Sequence, residues 1–159
     1  MSGESATEDR LFGRYRGAAA QSRLTCQRCG DCAELRWPPL PRCPRCHGAR
    51  VEWAPLRPTG EIWSHVTYHR SFDARFADLV PYTVAMVRLD DGVDMVGRVE
   101  AGIAAVGARV ALAGFDERGD VPAPRWRVVG DRELPELHAW PETPKGLGLP
   151  NDKEPRDEL

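Results

Sequence analysis

The sequence predicts a mainly β chain: a short N-terminal helix, a metal-nucleated ribbon, a small five-stranded barrel and an extended tail. Three observations carry this. All five cysteines fall between Cys26 and Cys46, in a segment too short to build an apolar core, where metal ligation replaces one. From Gly60 to Val129, apolar and polar residues alternate between turn signals, as strands require. Fourteen prolines and fifteen glycines in 159 residues oppose a helical bundle.

Each element follows in order. Residues 1–23 read as a polar, disordered start over 1–10, then a short helix over Leu11–Ser22. Gly13 and Gly17 weaken that helix, so it needs a packing partner. Residues 24–56 hold the cysteines, and residues 57–130 hold the strands. The first strand is Gly60–Arg70, with Ile62, Ser64, Val66 and Tyr68 expected on one face. The second, Tyr82–Leu89, joins the third, Val93–Glu100, through Asp90–Asp91–Gly92, where glycine accepts the positive φ of a hairpin turn. The fourth is Arg109–Phe115 and the fifth Trp126–Val129. Closure removes the edges that a flat sheet of this size would expose, so the five-stranded Greek-key barrel, the OB-fold, is predicted. Residues 131–159 form a Pro-rich tail without periodicity. Its Leu134, Leu137, Trp140, Leu147 and Leu149 suit a groove of its own domain or of a partner.

Composition excludes several classes. With 22 basic and 24 acidic side chains the net charge is −2, too little for wholesale binding to nucleic acid. No apolar run is long enough to span a bilayer, so no membrane role is expected. Glu4, Glu8, Asp9 and Arg10 interrupt the start, and no leader is predicted; the chain is expected in the cytoplasm. Residues 1–50 carry nine basic and five acidic groups, whereas residues 51–159 carry thirteen and nineteen. A basic ribbon thus joins an acidic barrel.

The cysteines read Cys26-Gln-Arg-Cys29-Gly-Asp-Cys32, then Cys43-Pro-Arg-Cys46-His47. Two C-x-x-C knuckles at this separation signal a zinc ribbon, each turn aiming two thiolates at one ion. Four thiolates also suit iron. The second knuckle is Cys43 and Cys46. Two registers are open for the first. Gly30 supports Cys26/Cys29. A strand carrying Leu24 and Cys26 on one apolar face supports Cys29/Cys32, with Cys26 a small buried hydrophobe. The second register is preferred: Cys29, Cys32, Cys43 and Cys46. A closed thiolate shell leaves no open position for catalysis.

The run Leu24 to Cys46, with Trp37-Pro38-Pro39 between the knuckles, resembles the rubredoxin-like zinc ribbon of the DUF35 family, the acyl-CoA-associated OB-fold proteins. The resemblance continues through Gly60-Glu-Ile-Trp63-Ser, Tyr68-His69-Arg70, Leu79-Val-Pro81-Tyr82, the Val87–Gly92 hairpin, Gly97-Arg98-Val99 and Gly107-Ala-Arg-Val110, and covers about residues 11–130. It departs at Ala33, where the family usually has glycine, and in the longer tail. Its register agrees with Cys29/Cys32.

The resemblance implies a non-catalytic subunit with a structural Zn2+. Such a subunit assembles with a thiolase-like catalytic subunit, as a heterotetramer around a thiolase-type dimer. The enzyme served is a thiolase, acyltransferase or retro-aldolase acting on acyl-CoA. The small subunit stabilises it and helps form its acyl-CoA site. The sequence offers no nucleophile–base pair, so catalytic residues are expected to be none. Guanidinium forks bind phosphate, which makes Arg28, Arg42 and Arg45 candidates for the CoA phosphates, with His69 a further contact. The alternative is a ribbon–OB module for single-stranded nucleic acid. That role needs a basic groove with stacking aromatics, and the strand half is acidic.

Overall fold

The computed structural model describes residues 3–130; the predicted tail, 131–159, lies outside the described residues. Helix α1 runs Gly3–Ala19. It begins eight residues before the predicted start, so the disorder expected over 1–10 is corrected from Gly3 onward. No proline or glycine interrupts the chain between Gly3 and Gly13, and the helix continues through its polar beginning. It ends before Ser22, which takes φ 56°. Ser22 N–H donates to Ala19 O at 2.8 Å and Arg23 N–H to Ala18 O at 2.9 Å. This is a Schellman motif with serine in the position glycine usually fills.

Three short strands follow: β1 Thr25–Cys29, β2 Leu35–Arg36 and β3 Val51–Pro55. They form an antiparallel sheet of order β2-β1-β3. The knuckles are the turns that this sheet carries. Five longer strands come next: β4 Thr59–Tyr68, β5 Tyr82–Leu89, β6 Asp94–Ala101, β7 Arg109–Asp116 and β8 Ala123–Val128. They close a barrel in the order β4-β5-β6-β8-β7, with β6 and β8 parallel and the other pairs antiparallel. This is the mainly β ribbon-plus-OB-fold architecture that the sequence predicts. The last strand starts at Ala123 rather than Trp126. Pro124 reads as a breaker in sequence, yet it sits opposite Phe115 in the antiparallel ladder with β7. A Cβ on Gly97 would meet Pro124 O at 2.2 Å, so glycine there permits β8 to close on β6.

The two sheets share one core. Leu24 and Cys26 of the ribbon pack with Leu56, Ile62, Val87, Met95, Val110 and Trp126. The helix supplies the packing partner it lacks by itself through Tyr15, which is fully buried. Its ring lies 4.3 Å from Trp37 of the ribbon and 6.0 Å from Phe115 of the barrel. Its hydroxyl donates to Pro122 O at 2.9 Å.

The first barrel strand departs from expectation. Pairing shifts by one residue between Ile62 and Ser64, a β-bulge that reverses the facing of everything beyond it. Ile62 pairs with buried Val87, while Ser64 pairs with exposed Met86. Ile62 therefore does not share a face with Ser64, Val66 and Tyr68, and those three lie on the outside.

Candidate metal centre and barrel face

The structure brings Cys29, Cys32, Cys43 and Cys46 together. Their Sγ atoms all lie within 4.8 Å of one another. Cys29 and Cys46 are 3.5 Å apart, and Cys32 and Cys43 3.6 Å. A disulfide requires about 2.05 Å. Four sulfurs tetrahedral about zinc at about 2.3 Å stand roughly 3.8 Å apart, near these separations. The cluster and its ribbon fit a structural zinc. Cys26 is elsewhere, fully buried in the shared core, where burial pushes its thiol up to about 12.

Both knuckles repeat one backbone pattern. Ala33 N–H donates to Cys29 O at 3.0 Å, and His47 N–H to Cys43 O at 2.9 Å. Cys29 N–H donates to Glu34 O, and Cys43 N–H to Gly48 O, each at 2.9 Å. The residue after the second cysteine is left-handed in each: Ala33 and His47 both take φ 60°. Amides turned toward sulfur favour the thiolate. The Asp31 and Cys32 N–H groups hold Cys29 down to about 6, and the Cys46 N–H lowers Cys43. At Gly48 the constraint is space rather than conformation: a Cβ would fall 2.1 Å from Asp31 Oδ2 and displace that carboxylate.

Two of the candidate phosphate arginines already have carboxylate partners: Arg45 pairs with Glu34 at 2.8 Å and Arg28 with Glu52 at 3.9 Å. The neighbouring Arg50 pairs with Asp31 at 2.6 Å. Among the described residues, Arg42 donates to a carbonyl, His47 O, at 3.4 Å and to no carboxylate. His69 is exposed just past the end of β4 on the barrel, on a different element from the arginines.

The outer face of β4, β5 and β6 carries exposed apolar side chains: Trp63, Val66, Met86 and Val96. Trp63, in the bulge, is 55% exposed, and the Arg88 guanidinium lies 4.1 Å above its ring. The β6–β7 loop adds Ile103 and Val106, 87% and 68% exposed. Exposed apolar side chains gathered on one sheet face suit an interaction surface. Sequence reading passed over that loop, although an apolar run bounded by Gly102 and Gly107 was visible.

Comparison with known proteins agrees in both halves. Residues 16–52 match the rubredoxin-like zinc ribbon domain of ChsH2, and residues 53–116 its C-terminal OB-fold domain. A solved Ltp2–ChsH2(DUF35) aldolase chain is 32% identical, with a TM-score of 0.64 over 75% of this chain and 94% of that one. A DUF35-family protein of unknown function from Sulfolobus solfataricus shares the fold at 15% identity, with a TM-score of 0.56 over 79% and 96% of the two chains. A probable enoyl-CoA hydratase alpha subunit from Thermomonospora curvata is 33% identical over 120 residues, 73% of this chain. The chain spans only 37% of that relative's length. Among the described residues, no helix is long and apolar enough to cross a membrane.

Proposed function

The chain belongs to the ChsH2 (DUF35) family, and from that premise we propose that it is the small, non-catalytic subunit of an acyl-CoA enzyme complex. Cys29, Cys32, Cys43 and Cys46 hold one structural zinc. The partner is a thiolase-superfamily subunit, a thiolase, acyltransferase or retro-aldolase, assembled with this chain as a cytoplasmic heterotetramer around a thiolase-type dimer. This chain stabilises the partner and completes its acyl-CoA site.

The observation that carries this reading is the 32% identity to the Ltp2–ChsH2 aldolase chain across 94% of that chain. The exposed apolar barrel face supports it, since such a surface is suited to a partner. CoA contact centres on Arg42. Binding phosphate through Arg28 or Arg45 requires exchanging an existing carboxylate, whereas among the described residues Arg42 has a carbonyl alone to give up.

The test is co-expression with the thiolase-like product of a neighbouring open reading frame. Co-elution with one zinc per copy of this chain, and acyl-CoA turnover only in the complex, is expected. Separate elution with a fully active partner overturns the proposal, and retention on RNA at physiological salt favours the single-strand alternative. Arg42→Ala is expected to weaken CoA binding by the complex about tenfold, the scale of a lost charge-assisted hydrogen bond.

A further inference from the structure

On the outside of the barrel lies a cleft of about 220 Å³, lined by neither the metal centre nor Arg28, Arg42 and Arg45. Its floor is Val84 and Val96, from β5 and β6. Its wall is aromatic. Tyr68 and Tyr82 stack at 5.2 Å, and Phe76, from the 3-10 turn Ala74–Leu79, lies 6.1 Å from Tyr82. Gly119, between β7 and β8, and Ala123, at the start of β8, close the other side. This is the face, bounded by two loops, on which OB-folds take linear polymers.

Three features narrow the occupant. The first is size: pockets for whole small-molecule ligands run about 300–1,000 Å³, so this one suits a single bulky anchor. The second is charge. The surrounding guanidinium groups are engaged, Arg98 with Asp116 at 3.2 Å, Arg118 with Asp78 at 2.6 Å and Arg75 with Asp73 at 2.8 Å. A nucleic-acid backbone would find no spare cation among them. The third is chemistry. Aromatic-lined grooves hold proline-rich segments, whose polyproline conformation is formed in advance and loses little entropy on binding.

We propose that the cleft holds Trp140-Pro141-Glu142-Thr143-Pro144 of this chain's own tail, with the Trp140 ring as the anchor and the prolines against the tyrosines. The segment joins a large aromatic to a P-x-x-P run. Its reach is sufficient. β8 starts beside the cleft and carries the chain away from it, about 23 Å between Ala123 and Gly130 at strand rise. From Gly130, the chain to Trp140 extends up to about 34 Å, enough to double back along the barrel.

The test uses the full-length, zinc-loaded chain with a photoreactive benzoylphenylalanine in place of Trp140. Irradiation in dilute solution is expected to give intramolecular cross-links to peptides containing Tyr82–Met86 or Val96–Arg98. Val96→Asp at unchanged zinc content should cut the yield about tenfold. Should that variant fold poorly, Pro141→Ala with Pro144→Ala alters only the tail and should lower the yield severalfold. Cross-links elsewhere on the chain, none at all, or only a concentration-dependent link to a second copy overturn the proposal. The result does not depend on the partner enzyme, so it stands or falls separately from the complex.

Discussion

Ala33 and His47 occupy equivalent places in the two knuckles, each left-handed at φ 60°. The left-handed region costs a residue with a Cβ about 1 kcal/mol relative to glycine. Glycine at either position removes that cost, partly offset by greater freedom in the unfolded chain. Ala33→Gly is therefore expected to stabilise the ribbon by up to about 1 kcal/mol, and Ala33→Val to destabilise it by more. Zinc loss to a competing chelator should slow in the first variant and quicken in the second. The fifth cysteine gives a sharper contrast. Cys26→Ala removes a buried sulfur from the shared core, a loss on the order of 1–2 kcal/mol, and is expected to retain one zinc per chain. Cys43→Ala is expected to lose the metal. Elemental analysis of the two purified proteins distinguishes them, and zinc loss in Cys26→Ala would return that residue to the ligand set.

At the scale of elements, the joints are where sequence patterning and structure part. Asp90 and Asp91 read as ordinary turn residues, yet they tie three elements together. Arg109 of β7 grips both oxygens of Asp90, at 2.8 and 2.9 Å, and the Thr59 hydroxyl of β4 donates to the same carboxylate. Asp91 accepts from the Arg57 backbone N–H at 2.6 Å and from its Nε at 3.1 Å, at the junction of ribbon and barrel. Arg109 holds the Asp90 carboxyl below the usual carboxylate range. A depressed folded value contributes stability that is complete above the unfolded value, about 3.9, and is lost as pH falls through the folded one. The thermal midpoint should thus decline below about pH 4, and Asp90→Asn should flatten that part of the profile. The pair is partly exposed, so solvent screening keeps the effect modest. Tyr15 is the joint for the helix. Tyr15→Phe should cost about 1 kcal/mol for the lost hydrogen bond to Pro122, and Tyr15→Ala about 3–5 kcal/mol for the cavity, each read from denaturant midpoints.

The whole molecule is a metal-fixed ribbon and a barrel around one core, with an apolar sheet face turned outward. If that face meets the catalytic subunit, Met86→Lys should abolish co-purification while leaving zinc content and the isolated chain's melting temperature unchanged; undiminished co-purification would move the interface elsewhere. By itself, the sequence determined the mainly β class, the order of helix, ribbon and barrel, and a cysteine-rich metal ribbon. These depend on local chemistry: period-2 alternation, turn residues, and the fixed spacing of C-x-x-C knuckles. The sequence also narrowed the ligand set to two registers. Tertiary structure brings the sulfurs of Cys29, Cys32, Cys43 and Cys46 together; whether Cys26 or Cys32 meets the other sulfurs depends on where β1 ends against β2 and β3. Tertiary structure likewise decided the outward face. One extra residue at Trp63 reverses every side chain after it, and a bulge is a compromise with the neighbouring strand, so the strand's own pattern holds no record of it.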